Sequence, residues 1–501
     1  MIRRVKVENG WVCGLPAADP RITAYKGIPF AAPPVGENRW RAPQPCPDWE
    51  GDYLAHDFAP IPLQVRQELD DNNIYTREWA VDPDIAMSED CLYLNIWAPA
   101  RNAENLPVYV WYFGGGLQVG HTAEMEFDGE RIARRGVVVV TVSYRLNAFG
   151  FLCHPEITAE SPEAPANFGF LDQQFATRWV KRNIAAFGGD PNNITIGGQS
   201  AGGMSVCAQL THPKNEGLFQ KAIIQSGCFA PPYPFNFGLC SSLADAEKQG
   251  VEFFRFLGVE TLAEARKIDA VTLRDKMVEF GGRWGEAVDG VFSTRNSQEW
   301  FLQEDRLRVP LLMGSTDSEF MASPDANDAD DLCAFAEDKF ASRAEALLAC
   351  FEGKTTKQEI AEAGRVSSID FCIWLAAKAD DSIPMYAYTF AAEIPGWDNP
   401  GTFHSVDLWF FFETLAKCWR PFRGAHYDLA RVMCDCWVNF IRCGDPNGVD
   451  SHGEPMPVWP ALKKDDPKRM RFSMQPEAED FQPSGLVKLL MDAYLERRQE
   501  G

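Results

Sequence analysis

A serine flanked by glycines is the feature of this chain best suited to covalent chemistry. Residues 187–203 read FGGDPNNITIGGQSAGG, with Ser200 at the centre of a G-x-S-x-G pattern. The apolar run 194–196 predicts a strand, and residues 204–210 predict a helix. A serine that attacks a carbonyl must stand at the tip of a sharp, strained turn, and flanking glycines let the strand and helix pass closely. We therefore interpret this segment as a nucleophile elbow.

The alternative is a glycine-rich turn without chemistry. A bare G-x-S-x-G pattern arises by chance on the order of 0.1 times in a chain of this length. The β-branched strand before the pattern, the helix after it and the turn-forming residues 190–193 favour the elbow. In that geometry the backbone N–H of Ala201, at the helix N-terminus, is free to meet a developing oxyanion.

A serine hydroxyl is a weak nucleophile near neutral pH, so it needs a base, and the base needs an orienting group. In enzymes with this elbow the chain order is serine, acid, histidine, with the last two on loops that follow strands. Three histidines lie well downstream, His404, His426 and His452. His404 follows a predicted strand, 385–390, whereas His426 lies at a predicted helix start and His452 in a polar turn. We expect His404 to be the base.

The acid is expected after the predicted strand 309–313. The following residues offer two carboxylates, Asp317 and Glu319. Asp317 is suited to capping a turn. The residues alone leave both candidates open.

A second glycine-rich loop follows the predicted strand 108–112. It consists of Gly114, Gly115 and Gly116. Without side chains, its backbone N–H groups can approach a ligand and complete an oxyanion hole. The alternative is a flexible turn, which its position after a buried strand disfavours.

Strands and helices alternate in the first half of the chain, and the second half is more helical. This rhythm predicts an α/β fold with a mostly parallel, doubly wound central sheet flanked by helices. Ser200 then lies at the carboxyl end of a strand, where open α/β sheets place their sites. We expect one catalytic domain over 1–501, with helical insertions at roughly 232–308 and 321–380 above the site.

Composition narrows the function classes. The formal net charge is −23, from 48 basic and 71 acidic residues, which argues against nucleic acid and anionic membrane surfaces as partners. No apolar run approaches the length of a membrane span, and the first residues lack the apolar core of a signal peptide. The 14 cysteines show no metal-ligand spacing, so we expect neither a metal nor another cofactor.

Several motifs, in order along nearly the whole chain, resemble the type B carboxylesterase family, which includes cholinesterases and bacterial nitrobenzyl-ester hydrolases. They are YKGIPFA at 25–31, PPVG at 33–36, EDCLYLNI at 89–96, SYRL at 143–146, the elbow at 187–202, QSG at 225–227 and the segment 437–447. The resemblance implies an α/β-hydrolase fold and a small-molecule ester as substrate.

The resemblance also implies roles for individual residues. Ser200, Glu319 and His404 resemble the family's catalytic triad, and this favours Glu319 over Asp317. The oxyanion hole is similar to the N–H groups of Gly115, Gly116 and Ala201. Other positions resemble an ion pair, Arg39 with Glu89, and a residue behind the triad, Ser226.

Some positions depart from the family pattern. Phe113 stands where His or Tyr is usual, Leu117 where Phe is usual, and Gln199 where the elbow commonly has Glu. The usual G-x-x-H-G-x-E reads GTFHSVD at 401–407. We expect these departures to affect substrate preference. Aromatic residues after His404, among them Trp409 and Phe412, are expected to line an apolar pocket or to pack in the core.

The sequence thus predicts a serine carboxylesterase that works through an acyl-enzyme. Transfer to another acceptor, or amide hydrolysis, would use the same triad, and a non-catalytic binding protein on this scaffold is a further alternative. The family's secreted members pair the cysteine at position 91 with one upstream, which is missing here. We therefore expect Cys91 to be free and the protein to be cytoplasmic.

Overall fold

An eleven-stranded sheet forms the centre of the computed structural model. The structure describes residues 3–66, 70, 72–79, 82, 84–101, 103–233, 240–303, 306–379 and 382–499. The strands of the main sheet, numbered along the chain, are β1 (Leu15–Pro16), β2 (Ile22–Pro29), β3 (Tyr93–Pro99), β4 (Leu106–Tyr112), β5 (Val138–Val142), β6 (Gly189–Gln199), β7 (Lys221–Gln225), β8 (Leu311–Thr316), β9 (Met385–Phe390), β10 (Lys468–Phe472) and β11 (Glu477–Asp480).

The sheet is mostly parallel, as the sequence predicts. Its strand order is β11-β10-β9-β8-β7-β6-β4-β5-β3-β2-β1. Every pairing from β10 across to β5 is parallel, and the pairings outside that range are antiparallel. The carboxyl ends of β4, β6, β8 and β9 therefore meet at one edge, which is where their following loops lie.

Small sheets surround the main one. Arg4–Val7, Gly10–Cys13 and Asp52–Leu54 form a three-stranded sheet, and the first two form a hairpin. The two-stranded pairs are Ile61–Pro62 with Met87–Ser88, Cys240–Ser242 with Glu286–Val288, and Met321–Ala322 with Val366–Ser367.

Helices pack on both faces of the main sheet. They begin and end as follows: Ile74–Trp79, Glu130–Ala133, Asn147–Phe151, Pro155–Glu160, Phe168–Asn183, Ala201–Thr211, Leu243–Leu257, Leu262–Ala265, Ala270–Phe280, Ser297–Phe301, Ala329–Phe340, Ala344–Ala349, Lys357–Ala363, Ser368–Ala379, Asp407–Phe411, Gly424–Cys443 and Gly485–Gln499. None of the helices in the described ranges is long and apolar enough to cross a membrane.

Alternating side chains of the central strands divide the core into two halves. In β4, Val108 belongs to one cluster of buried apolar residues and the next residue, Tyr109, to the cluster on the opposite face. The helix Phe168–Asn183 contributes Trp179 to the first cluster. The helix Gly424–Cys443 contributes to the second. The sheet is therefore covered on both sides, as expected for a doubly wound fold.

Two predicted elements differ in detail. Residues 190–193, expected as a turn, lie inside β6, where the register shifts between Gly189 and Ile194. Asp190 accepts the N–H of Asn192 at 2.8 Å, so the turn chemistry is present within an irregular strand. Residues 329–351 have the composition and spacing that predict one helix, but the structure breaks it at Ala341, which has φ 44°.

The approach of β6 to the helix Ala201–Thr211 generates a prediction. A Cβ placed on Gly202 would lie 2.0 Å from the carbonyl oxygen of Tyr112 in β4. Because that oxygen belongs to the sheet backbone and cannot yield, we expect Gly202→Ala to lower the free energy of unfolding by about 3 kcal/mol or more. Thermal and denaturant unfolding measure the change.

Gly424→Ala is the matched control, because nothing lies within 4 Å of a Cβ at that position. We expect it to leave stability unchanged or slightly higher, since alanine favours helix. Equal stability of the two variants would contradict the close approach.

Candidate active site

Ser200 occupies a strained turn between β6 and the helix Ala201–Thr211. Its backbone has φ 55° and ψ −124°, a combination that a residue with a side chain rarely adopts. Its N–H donates to the carbonyl of Gln225 at the end of β7 (2.9 Å), and its carbonyl accepts from Met204 (3.0 Å). These bonds hold the serine at the carboxyl edge of the sheet, in the elbow geometry that its flanking glycines predict.

His404 lies on the loop after β9 and faces Glu319, which follows β8 by three residues. His404 Nδ1 lies 2.8 Å from both carboxylate oxygens of Glu319. Both side chains are buried, at 9% and 1% exposure. A hydrogen bond between Nδ1–H and a carboxylate fixes the ring's orientation and leaves Nε2 as the acceptor.

The other candidates lie elsewhere. Asp317 is 50% exposed and pairs with Arg471 at 3.4 Å. His426 accepts the N–H of Arg423 through Nδ1 (3.0 Å) and caps a helix. His452 is exposed, within 3.5 Å of Arg431 Nη1.

The acid and histidine loops are bonded to each other. The N–H of Ser318 donates to Thr402 Oγ1 (3.1 Å), and the two hydroxyls lie 3.3 Å apart. The ring of Phe320 packs on the imidazole of His404, with centroids 4.7 Å apart. The position of His404 is thus set by the ring of Phe320, by the carboxylate of Glu319 and by the bond between the two loops.

The free nitrogen of His404 is bonded to Gln199, the residue before the serine. Gln199 Nε2 lies 3.1 Å from His404 Nε2. With Nδ1–H directed at Glu319, this contact makes the amide the donor and Nε2 the acceptor. Within the described residues, no hydrogen bond joins the hydroxyl of Ser200 to His404. The lone pair that would accept the serine proton is therefore occupied by the Gln199 amide.

The predicted oxyanion-hole donors come from the elbow and from the glycine loop that lies beside it. The loop Gly114–Gly116 lies against the elbow, since a Cβ on Gly114 would be 3.2 Å from Ser200 Cβ. Among the hydrogen bonds of the described residues, none uses the N–H of Gly115, Gly116 or Ala201. Gly115 has φ 108° and a Cβ there would lie 2.0 Å from the Val119 carbonyl, so only glycine fits.

A buried polar group lies behind the histidine loop. Asp407 Oδ2 accepts from the Tyr388 hydroxyl (2.7 Å) and from Gln225 Nε2 (3.2 Å). Burial raises the pKa of Asp407 to about 6, and the negative charge of Glu319 acts in the same direction. Ser226 lies next to Gln225 with φ 45° and is fully buried, and its hydroxyl has no partner among the described residues. Sequence reasoning placed Ser226 here by resemblance and missed Tyr388.

A cavity of about 750 Å³ opens onto Ser200 and His404. Gln199 lines it, as expected for a residue that influences substrate preference. Phe113, Leu117, Trp409 and Phe412 are fully buried, and the cavity lining does not include them. For Trp409 and Phe412 the structure thus agrees with the second of the two alternatives, packing in the core.

Packing between aromatic rings explains why these residues lie in the core and not at the cavity. Phe113 stacks on Tyr144 with centroids 4.4 Å apart, and Phe412 packs edge-on against Trp111 of β4 at 5.2 Å. From the helix Asp407–Phe411, Leu408 is the residue that reaches the cavity.

The cavity wall comes largely from segments that the sequence analysis did not single out. The described residues that line the cavity from these segments include Phe58, Gln64, Tyr75, Trp79, Asp82, Met87, His121 and Phe127. The only sequence feature that indicated these segments was their place in the chain, next to the motifs that the family shares. Among the described residues, no group of three or more His, Cys, Asp or Glu side chains is arranged to hold a metal ion.

The arrangement defines a serine hydrolase site on a mostly parallel α/β sheet, and comparison with known proteins gives the family. The model of the carboxylesterase family matches residues 3–365 and 366–485. The chain belongs to the carboxylesterase family, whose members are carboxylic ester hydrolases.

Relatives cover most of the chain. It is 31% identical over 466 residues to a fumonisin B1 esterase of Sphingopyxis macrogoltabida, covering 88% of this chain and 82% of the relative. It is 30% identical over 457 residues to a para-nitrobenzyl esterase of Bacillus subtilis, covering 84% and 86%.

Solved structures of esterases have the same fold as this chain. A PNB esterase superposes with a TM-score of 0.80 at 26% identity, covering 98% of this chain and 99% of that one. A carboxylesterase of Geobacillus stearothermophilus gives 0.75 at 29% identity, covering 98% and 100%. The α/β-hydrolase fold expected from the sequence is thereby confirmed.

The bond between Gln199 and His404 predicts a change in pH dependence. In Gln199→Glu a carboxylate would face Nε2 and favour the protonated imidazole. Because the base must be neutral to accept a proton, we expect the acid limb of the kcat/KM profile to move up by about 1 pH unit. Gln199→Leu, which carries no charge, should leave the limb in place. An unshifted limb in Gln199→Glu would contradict the contact.

Ser405 offers a prediction about strain. It follows His404 and has φ 79°, a backbone conformation that glycine adopts without strain and serine does not. We expect Ser405→Gly to raise the free energy of unfolding by about 1 kcal/mol. Ser161→Gly, at φ −139°, should instead lower it, because glycine there only adds disorder to the unfolded chain. Denaturant unfolding compares the two, and a loss of stability in Ser405→Gly would refute the strain.

Proposed function

We propose that the protein hydrolyses carboxylic esters through an acyl-enzyme, with Ser200 as nucleophile, His404 as general base and Glu319 as the orienting acid. The observation that carries this proposal is the pair of 2.8 Å contacts between His404 Nδ1 and Glu319, beside a serine at φ 55° on an elbow. The substrate is a small-molecule ester, and the chemistry needs no cofactor.

The reaction runs in two halves. Ser200 Oγ bonds to the ester carbonyl carbon while His404 Nε2 takes the hydroxyl proton, and the intermediate then expels the alcohol, which receives that proton. Water next attacks the acyl-enzyme and gives a proton to His404, which passes it to Ser200 Oγ as the acid departs. Glu319 stabilises the imidazolium in both halves.

Gln199 adds a step before the first proton transfer. Its amide must leave His404 Nε2 so that the Ser200 hydroxyl can donate there. We expect substrate binding to drive this exchange, since Gln199 lines the cavity and a bound ester would meet its amide. The resting contact then occupies Nε2 until substrate arrives.

The negative charge that develops on the carbonyl oxygen needs donors in place beforehand. The N–H groups of Gly115, Gly116 and Ala201 are proposed for this role. Each such donor contributes about 3–4 kcal/mol to the transition state, because it requires no reorganisation when the charge appears.

The state of the cysteine thiols bears on the compartment in which the protein works. All 14 cysteines lie within the described ranges and all are free, with Cys91 buried. We propose a reducing compartment such as the cytoplasm, where such thiols persist.

The nucleophile is tested by substitution. We expect Ser200→Ala to abolish hydrolysis of 4-nitrophenyl butyrate and labelling by a fluorophosphonate while the fold, followed by circular dichroism, stays intact. Ser161→Ala, remote in the chain from the elbow, should keep both. Activity like that of the unchanged protein in Ser200→Ala would exclude the assignment, and failure of the unchanged protein to label would favour a non-catalytic role.

The acid is tested by Glu319→Gln, which keeps the shape of the side chain and removes its charge. We expect kcat to fall by about 10³–10⁴-fold, because the imidazolium loses its partner and the ring its preferred tautomer. Asp317→Asn, the alternative carboxylate, should leave kcat unchanged. The reverse ranking would make Asp317 the acid. Product analysis with added alcohol or amine shows whether water is the natural acceptor.

A further inference from the structure

An exposed arginine lies beside the glycine loop that borders Ser200. A Cβ placed on Gly116 would lie 3.6 Å from Nη2 of Arg283, and apart from the adjoining residues of the loop no other described atom lies within 4 Å of that point. Gly116 suits its position because of its φ of 63°, not because its surroundings are full. The space beside Gly116 is therefore open, and a guanidinium borders it.

The segment that carries Arg283 is fixed to this loop. Gln118 Nε2 donates to the carbonyl of Gly116 (3.1 Å) and also to the carbonyl of Trp284. The N–H of Trp284 in turn donates to Gln118 Oε1 (3.4 Å). The carbonyl of Arg283 accepts from Gln249 Nε2 (3.1 Å). The place of Arg283 beside the loop is thus set by its backbone and does not require contacts of the guanidinium.

The guanidinium of Arg283 is available to a ligand. Among the hydrogen bonds and ion pairs of the described residues, none uses it, and the side chain is exposed. Arg39 and Arg145, by contrast, are each paired with a buried carboxylate. A guanidinium presents its N–H donors in a planar fork that matches the two oxygens of a carboxylate. The chemistry of this position therefore favours an anionic group with two oxygens in one plane.

The two parts of a bound ester must lie on different sides of Ser200. His404 Nε2 delivers a proton to the leaving alcohol, so the alcohol oxygen lies on the side of the imidazole. His404 and Gln199 line the cavity of about 750 Å³, which therefore accepts the alcohol part. The described lining does not include Gly116 or Arg283. The acyl part is left to extend along the glycine loop, toward the guanidinium.

We propose that Arg283 binds a carboxylate at the far end of the acyl group of the substrate. The inference rests on the proposed function, because it names a substrate class for the same site: monoesters of dicarboxylic acids. With the ester carbonyl at the N–H of Gly116, an acyl chain of about two or three methylene groups spans the distance to the guanidinium. Hydrolysis would then release an alcohol and a dicarboxylate.

A matched pair of esters tests the preference. Benzyl hydrogen glutarate and benzyl glutaramate have nearly the same shape, and their acyl chains end in a carboxylate and an uncharged amide. We expect kcat/KM to be about 5-fold higher for the carboxylate, which corresponds to about 1 kcal/mol, the size of an exposed ion pair. The difference should lie in KM, because the guanidinium contacts the substrate both before and during the reaction. Chromatography of the released benzyl alcohol measures both rates.

Substitutions locate the preference. We expect Arg283→Gln to bring the kcat/KM values of the two esters within about 2-fold of each other, because the charge is removed. Arg283→Lys should keep part of the preference, since an ammonium group keeps the charge and loses the planar fork. Arg101→Gln, at an exposed arginine beyond β3 at the opposite edge of the sheet, makes the same change in net charge and should keep the full preference.

Two results would overturn the inference while the proposed function stands. One is equal kcat/KM for the two esters in the unchanged protein. The other is a preference that survives Arg283→Gln or that is lost to the same extent in Arg101→Gln, which would assign it to the overall charge.

Hydrolysis of neither ester would count against the proposed function, and the site is then decided by binding. Calorimetry would compare glutarate binding to the Ser200→Ala protein with binding to the same protein carrying Arg283→Gln. Weaker binding in the second protein would support the carboxylate site, and equal binding would overturn it.

Discussion

The close approach of strand β6 to the helix Ala201–Thr211 is the constraint on which the site depends. At Gly198 a Cβ would lie 2.3 Å from the backbone of Gly202, and at Gly202 it would meet the Tyr112 carbonyl at 2.0 Å. The helix can begin directly at the sheet edge only because both positions lack side chains. That contact accompanies the strained backbone of Ser200 and brings the loop after β4 against the elbow.

The remaining groups are positioned by strands of the same sheet. Glu319 and His404 follow β8 and β9, which are neighbours two and three strands from β6. Parallel pairing aligns their carboxyl ends, so loops separated by 85 residues meet over a few ångströms. The bond between Ser318 and Thr402 then holds the two loops together without help from the reacting groups. Rigidity of the site is thus a property of the sheet more than of the loops.

The sequence predicted what depends on backbone geometry and failed where packing decides. The elbow, the glycine loop and the mostly parallel sheet follow from glycine positions and from the alternation of strands and helices, and each is present. The residues alone did not favour Glu319 over Asp317, because both carboxylates follow the same strand. The choice needed the family pattern, since three-dimensional packing decides which of the two is exposed. The sequence did not indicate the helix break at Ala341, because no glycine or proline stands there.

Aromatic residues show the same limit most clearly. Phe113 and Phe412 stand beside motif residues in the sequence, yet they are buried in the core, where they pack against the rings of Tyr144 and Trp111. The cavity wall comes instead from loops whose residue types follow no periodic rule. Substrate preference is therefore the part of the function that the sequence pattern describes least.

The groups that contact the two ring nitrogens of His404 differ in charge. Gln199 stands where the family's elbow commonly carries Glu, and it donates to His404 Nε2. A carboxylate at that position would stabilise the imidazolium before the reaction begins and would weaken the base near neutral pH. The carboxylate that bonds the ring is Glu319, at the opposite nitrogen, Nδ1. A charged partner at Nδ1 and an uncharged amide at Nε2 therefore give the two ring nitrogens different roles, because the first orients the ring and the second contacts the atom that must accept the serine proton.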